Sequence, residues 1–152
     1  MATKSKLQGG NDIVTALICD GVRKEISGQD IIIGVYSDEI NVVQLPFSFA
    51  LTLYLRIRFE ETEQTRVDFR VLGESGIQIV PDLQFEIAPP ETGRITTVVI
   101  GPLPITIQAL GKITFDVKFP NTGWEPATDI RFVRITNVPP VKVNQSTGRP
   151  IS

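Results

Sequence analysis

The chain has 152 residues, of which 41% are hydrophobic and 21% charged, and its formal net charge is −2. These are the proportions of one globular domain. One cysteine, Cys19, and no histidine exclude an intramolecular disulfide, a cysteine-based zinc cluster and the hydrolase mechanisms that rely on histidine. The apolar runs are shorter than the roughly 20 residues of a membrane-spanning helix. We therefore expect no membrane partner, no secretory signal and a cytoplasmic location.

The charges are unevenly distributed. Residues 1–11 and 137–152 each hold two basic residues and no acidic one, whereas residues 12–136 hold 11 basic and 17 acidic residues. Both terminal segments are polar or proline-rich, which favours extended arms around a folded domain of residues 12–136. Two interpretations remain open, disordered termini or arms that contact another copy. The acidic domain lacks the basic face of a duplex-binding protein, so no nucleic-acid partner is expected.

In chain order, the first predicted strands are Ile13–Cys19 and Asp30–Tyr36, with turn residues between them at Asp20-Gly21 and Ser27-Gly28. Cys19 lies in the first of these strands. Because free cysteines are among the most buried residues, we expect an inert thiol in the interior.

The next two predicted strands alternate between apolar and polar residues. Residues Ala50–Phe59 carry apolar side chains at every odd position, and Val67–Val71 repeat the pattern. This period of two predicts strands with one face in the core. The polar loop 60–64 between them is short enough for a hairpin, so we predict that the two strands pair antiparallel.

The outward face of this predicted hairpin carries a basic patch. Asp68 is expected opposite Arg56 or Arg58, where it would neutralise part of the charge. One interpretation is a solvated face whose ion pairs contribute little. The other is a contact surface for an acidic partner, because arginine and tyrosine are enriched at interface centres. The side chains of the patch are Tyr54, Arg56, Arg58, Arg66 and Arg70.

A second hairpin is predicted from Ile105–Ala109 through a turn at Leu110-Gly111 into Ile113–Phe119. The pattern indicates an all-β, two-sheet antiparallel β-sandwich, immunoglobulin-like or related, with its connectivity left open. Further strands are predicted at Ile77–Val80, Leu83–Ile87, Ile95–Ile100 and Arg131–Thr136. The residues predicted between the two sheets are Leu53, Leu55, Phe69, Ile107, Phe115 and Val117.

The remaining candidate groups are acids and one tryptophan. The acidic pairs or runs at Asp38-Glu39, Glu60–Glu63 and Glu86 with Glu91 lie in or beside loops and lack the spacing of a calcium loop. We expect solvated side chains there, no metal or other cofactor, and no enzymatic activity. Trp124 lies in a loop, where it caps the end of its own sandwich, anchors an interface or stacks on a sugar.

The stretch Leu17-Ile18-Cys19-Asp20-Gly21-Val22-Arg23-Lys24-Glu25, followed by Ser27-Gly28-Gln29 and Ile32-Ile33-Gly34-Val35-Tyr36, resembles the opening of an uncharacterised bacterial family. Its members are short β-sandwich proteins of unknown function. The resemblance implies a fold and no activity, so no catalytic residue is carried over.

Elimination of catalytic chemistry favours a non-catalytic interaction or assembly module that binds other copies of itself or a protein partner through sheet faces and terminal arms. A structural subunit of a larger particle or virion is a variant of this hypothesis. The alternative is a ligand-binding sandwich for a carbohydrate or a divalent cation.

Overall fold

A computed structural model describes the backbone of residues 5–6 and residues 11–60, 65–88 and 94–135. Within these ranges the chain forms strands, turns and bends and no helix, which confirms the predicted all-β class. The strands are β1 (Ser5–Lys6), β2 (Asp12–Lys24), β3 (Asp30–Tyr36), β4 (Glu39–Val42), β5 (Phe47–Arg58), β6 (Thr65–Leu72), β7 (Gln78–Ile87), β8 (Ile95–Ile107), β9 (Gly111–Lys118) and β10 (Glu125–Arg134).

The strands form two five-stranded sheets. In sheet 1, β5 lies between β2 and β8, while β1 and β3 pair in succession along the other edge of β2. Sheet 2 has the order β4-β10-β9-β6-β7. Neighbouring strands are antiparallel except for β4 and β10, which run parallel. The predicted two-sheet sandwich is thus confirmed.

The core lies between the two sheets and contains the alternate side chains of their facing strands. All six residues predicted there are buried. Aromatic pairs fill the interior. Phe59, after β5, lies edge-on to Phe119, after β9, at 5.8 Å between ring centroids, and within sheet 2 Phe69 stacks on Phe115 at 6.2 Å. Cys19 is buried as expected.

Both predicted hairpins are wrong, although their strands exist. β5 belongs to sheet 1 and β6 to sheet 2, and the same division separates β8 from β9. The reason is that alternation reveals which face of a strand is buried but not which strand lies beside it. A short connection spans the roughly 10 Å between stacked sheets as readily as it turns within one sheet. The two strands of each predicted hairpin therefore lie in different sheets.

Several strand boundaries also differ from the predictions. The segments Ile77–Val80 and Leu83–Ile87 are parts of one strand, β7, and β8 unites Ile95–Ile100 with the segment predicted from Ile105. In β8 the join is at Gly101, whose φ of 139° and close approach to Leu51 leave no room for a Cβ atom. The sequence did not reveal β4, since its four residues are too few to show a clear alternation of apolar and polar side chains.

The predicted arms lie largely outside the described residues. In the first arm, Ser5–Lys6 pairs with Asp12 and Ile13 of the same chain, so this short stretch extends its own sheet. β3 pairs with the later residues of β2, so the backbone N–H and C=O groups at the start of this edge are available to β1. The arm 137–152 and the acids Glu61, Glu63 and Glu91 are not within the described ranges.

Candidate functional site

The predicted basic patch is divided between the two outer faces of the sandwich. Tyr54, Arg56 and Arg58 belong to β5 and sheet 1, whereas Arg66 and Arg70 belong to β6 and sheet 2. Since the two sheets pack against each other through their inner faces, the two groups lie on opposite sides of the molecule. The prediction of one continuous patch is therefore wrong, because it depended on a hairpin that does not form.

On sheet 1 the predicted patch residues contact their own chain. Tyr54 is buried, and its hydroxyl donates a hydrogen bond to Asp30 Oδ2 at 3.2 Å. Arg58 Nη1 lies 3.9 Å from Asp12 Oδ2. Arg56 is half-buried. This face consequently offers less free arginine and tyrosine surface than the sequence suggested.

On sheet 2 the charged side chains pair with each other. Arg66 Nε lies 3.0 Å from Asp68 Oδ1, so Asp68 neutralises a neighbour on β6 and not Arg56 or Arg58 as predicted. Arg70 Nε donates to Asp116 Oδ2 at 3.0 Å. Intramolecular ion pairs thus satisfy much of this face.

Trp124 is half-buried against the outer face of sheet 2. The guanidinium carbon of Arg70 lies 4.2 Å from the centre of its ring, which is a cation–π contact. One face of the ring therefore lies on Arg70, and that face is not open for stacking on a sugar.

The β2–β3 hairpin folds back over the outer face of sheet 1. Only the first part of β2, as far as Cys19, pairs with β5, while its last residues pair with β3 alone. At the far end of the hairpin, Lys24 Nζ lies 3.0 Å from Asp30 Oδ1, and Asp30 accepts the hydrogen bond from Tyr54. The hairpin end is thereby attached to the middle of β5.

A glycine in the positive-φ region lies where this hairpin leaves the sheet. Gly34 has a φ of 66°, and a Cβ at this position would collide with the Asp20 carboxylate. That carboxylate accepts a hydrogen bond of 2.6 Å from the Tyr36 hydroxyl. Glycine is required here because it adopts positive φ without strain and leaves space for the side chain across the strand.

These contacts shift the pKa values of the groups involved. The Lys24 ammonium group, with help from Tyr54 and Arg56, lowers the pKa of Asp30 below its usual value. The hydrogen bond to Asp20 and partial burial raise the pKa of Tyr36 to about 12. Burial raises the pKa of the Cys19 thiol, which keeps it protonated. The hydrogen bonds from Tyr54 to Asp30 and from Tyr36 to Asp20 therefore persist at neutral pH, where Asp30 is ionised and Tyr36 is neutral.

The hairpin exposes aliphatic side chains. Ile31, Ile33 and Val35 are 42%, 41% and 49% exposed, and Ile26 at the hairpin tip is fully exposed. The turn that carries Ile26 is closed by a hydrogen bond of 2.8 Å from the Glu25 N–H to the Gln29 carbonyl. The sequence predicted β3 correctly but not this surface. The available signal was the run of β-branched residues, and among the described strands β3 pairs with β2 alone.

A groove of about 520 Å³ opens at one end of the sandwich, between the β6–β7 turn and the β8–β9 connection. Lys112 and Glu74 contribute charged groups to its lining. The sequence could not reveal it, because the groove exists only if β8 and β9 lie in different sheets. Its apolar lining is formed by Ile77, Ile79, Ile107, Ala109, Leu110 and Ile113.

Among the described residues, no three acids or cysteines gather as a metal site. Within the acidic loop that begins at Glu60, the backbone N–H of Glu60 donates to Asn11 Oδ1 at 3.3 Å. In the part of the chain that the structure covers, no helix is long and apolar enough to cross a membrane.

Comparison with curated proteins gives no match. Residues 14–125 match the sequence pattern of a family of unknown function, DUF6941. The matched range begins in β2 and ends at the start of β10, so it includes the seven complete strands from β3 to β9 and most of β2. The chain therefore belongs to DUF6941, a family of unknown function.

Proposed function

We propose that this protein is a non-catalytic interaction module that binds another protein molecule, and that the β2–β3 hairpin is its contact surface. The observation that carries the proposal is the exposed aliphatic surface of Ile26, Ile31, Ile33 and Val35. Contiguous exposed apolar patches are uncommon on monomeric proteins and mark interaction surfaces.

The free energy available from this surface is substantial. Burying apolar area yields roughly 25 cal/mol per Å², or about 1.5–3 kcal/mol for an isoleucine that goes from fully exposed to fully buried. Exposed β-branched residues on an edge strand also promote unspecific aggregation. A partner that covers the hairpin removes both the exposed apolar area and this liability.

The hairpin is rigid enough to bind without a large loss of entropy. Asp30 is attached to Tyr54 and Lys24, and Asp20 is attached to Tyr36. The bond from Tyr54 holds the end of the hairpin over β5 before any partner arrives, and the other two connect β2 with β3 within the hairpin. Preorganisation of this kind strengthens binding because less conformational freedom is lost in the complex.

The terminal arms support the same proposal through charge. Residues 1–11 and 137–152 are basic, whereas residues 12–136 carry the acids of the chain. Attraction between the arms of one copy and the acidic domain of another would add to association at low salt. A subunit of a larger assembly, located in the cytoplasm or in a particle, fits this arrangement.

Light scattering of the full chain over a range of concentrations tests the proposal. We expect a mass above the 16.8 kDa of one chain, and a lower mass for the double variant Ile31→Lys, Ile33→Lys. Val43→Lys is the matched control, since Val43 is an exposed aliphatic residue of the β4–β5 connection, outside the hairpin. A full chain that remains a monomer at every concentration contradicts self-association.

The end groove favours a second candidate function, a ligand-binding sandwich. Its volume of about 520 Å³ is within the range of small-molecule sites, about 300–1,000 Å³. The lining is aliphatic, however, and a carbohydrate or a divalent cation would require aromatic platforms or several carboxylates. Melting curves with added calcium or simple sugars test it, and a rise in Tm of several degrees would favour this function.

A further inference from the structure

The molecule exposes two apolar features of opposite form, a projecting turn and a groove. The hairpin turn projects Ile26 fully into solvent. The end groove is a concave apolar site, and its walls include the exposed side chains of Ile77 and Leu110. One feature is convex and the other concave, and Ile26, Ile77 and Leu110 are all exposed.

We propose that the hairpin turn of one copy, centred on Ile26, docks in the end groove of a second copy. This inference rests on the proposed interaction function and names its partner. β3 and β8 lie on opposite sides of the β2–β5 pair in sheet 1, and Ile26 is fully exposed, so the turn does not occupy the groove of its own chain.

The charges beside the two features are also complementary. The turn is flanked by two bases and two acids, of which Lys24 and Asp30 pair with each other. Arg23 and Glu25 are the remaining base and acid. The groove is lined by Glu74 and Lys112, again one acid and one base. Docking can therefore bring each charge next to one of opposite sign, which selects the orientation of the turn in the groove.

The size of the groove suits a turn better than a single side chain. Its volume of about 520 Å³ corresponds to on the order of fifteen water molecules at about 30 Å³ each. Water against aliphatic walls is displaced favourably by an apolar group. A closed turn with an isoleucine at its tip provides that group and enough volume to displace most of the water.

The proposed contact joins two different surfaces, so it is heterologous. A copy without the isoleucine still offers a groove, and a copy with a blocked groove still offers its turn. A heterologous contact therefore predicts a result for mixed variants that a symmetric contact between two hairpins does not predict. Two variants that each fail to associate alone should associate with each other.

The experiment uses light scattering on the full chain and on the variants Ile26→Asp and Leu110→Asp. Both positions are exposed, so both variants should fold, and circular dichroism with a melting curve verifies this. We expect each variant to associate about 10- to 100-fold more weakly than the wild type, the range for loss of one buried aliphatic side chain. Asn121→Asp is the control, because it places the same charge on an exposed residue of the β9–β10 connection, at the end of the sandwich opposite the groove, and it should associate like the wild type.

An equimolar mixture of Ile26→Asp and Leu110→Asp decides the geometry. We expect a species of twice the monomer mass that does not grow further, because only one productive contact is possible in the mixture. If the mixture remains monomeric, or if either single variant associates like the wild type, the inference is overturned. Unchanged mass in these variants together with dissociation by Ile31→Lys, Ile33→Lys overturns the inference and leaves the proposed function intact. A monomeric wild type overturns the inference and, within the proposed function, self-association.

Discussion

The outer face of sheet 2 and the β2–β3 hairpin on sheet 1 differ in how their exposed groups are satisfied. On sheet 2, Arg66 and Arg70 are paired with carboxylates of the same sheet, and Trp124 packs on Arg70. On the hairpin, the polar groups are also paired, but aliphatic side chains such as Ile33 remain exposed.

This difference indicates on which of the two surfaces a partner would bring the larger gain in free energy. Exposed ion pairs that already exist within a chain contribute about 0–1 kcal/mol each, and a partner must break or share them. Exposed aliphatic groups have no competing contact to lose. A basic patch seen in a sequence is thus a weaker indication of an interface than aliphatic residues that the fold leaves uncovered.

Substitutions to alanine in the core and on the hairpin should give the largest difference in the free energy of unfolding. Phe115 is completely buried and stacks on Phe69, so Phe115→Ala should lower the free energy of unfolding by about 3–5 kcal/mol. Ile33→Ala should change it by less than about 1 kcal/mol, since Ile33 is 41% exposed. Urea denaturation measures both. A loss below about 1 kcal/mol for Phe115→Ala would mean that the inward face of β9 is wrongly assigned.

The sequence predicted the burial of residues far better than their neighbours. Alternation alone identified Leu53, Phe69 and Phe115 as core, and the structure buries all three. Which strands pair depends on sequence-distant contacts that alternation does not encode. Both hairpin predictions failed for this reason, and the predicted basic patch failed with the first of them.

The surface features that carry the proposals could be predicted only in part. Ile31 and Ile33 were recognised as strand residues, but their exposure follows from the bend near Gly34 and from β3 pairing, among the described strands, with β2 alone. The end groove could not be predicted, because Leu110-Gly111 has the same local signal whether it turns within a sheet or crosses between sheets.

The bend of the hairpin should depend strongly on one glycine. Gly34→Ala adds a Cβ at a φ of 66°, where it collides with the Asp20 carboxylate. We expect a loss of stability of about 1–3 kcal/mol, from backbone strain and from displacement of the side chain. Gly28→Ala is the matched control, since Gly28 also has positive φ but open space around it. Equal losses in the two variants would show that strain alone matters and that the contact with Asp20 does not.

Two arginines on sheet 2 allow a direct test of how burial changes the contribution of an ion pair. The Arg70 side chain is 27% exposed and its partner Asp116 is 10% exposed, whereas Arg66 is 54% exposed. Arg70→Met leaves a largely buried carboxylate without its partner and removes the contact with Trp124, so we expect a loss of about 1–3 kcal/mol. Arg66→Met should cost less than about 1 kcal/mol. Equal losses in the free energy of unfolding for the two variants would contradict the distinction between the buried and the exposed ion pair.

The smallest expected effect concerns the hydrogen bond between Tyr36 and Asp20 in the hairpin. Asp20 is the main cause of the rise in the Tyr36 pKa to about 12 from an ordinary value of 10.0. Because the folded-state pKa is raised, the bond contributes its full stabilisation below pH 10.0 and loses it as the pH rises through about 12.

In Asp20→Asn we therefore expect the pKa of Tyr36 to fall toward 10.0. Ultraviolet titration of tyrosinate measures it directly, since the chain has two tyrosines, and Tyr54→Phe leaves Tyr36 as the one that titrates. An unchanged midpoint in the Asp20→Asn variant would mean that burial, and not this carboxylate, sets the pKa. Apolar contacts, and not the Asp20 carboxylate, would then hold the hairpin at its bend.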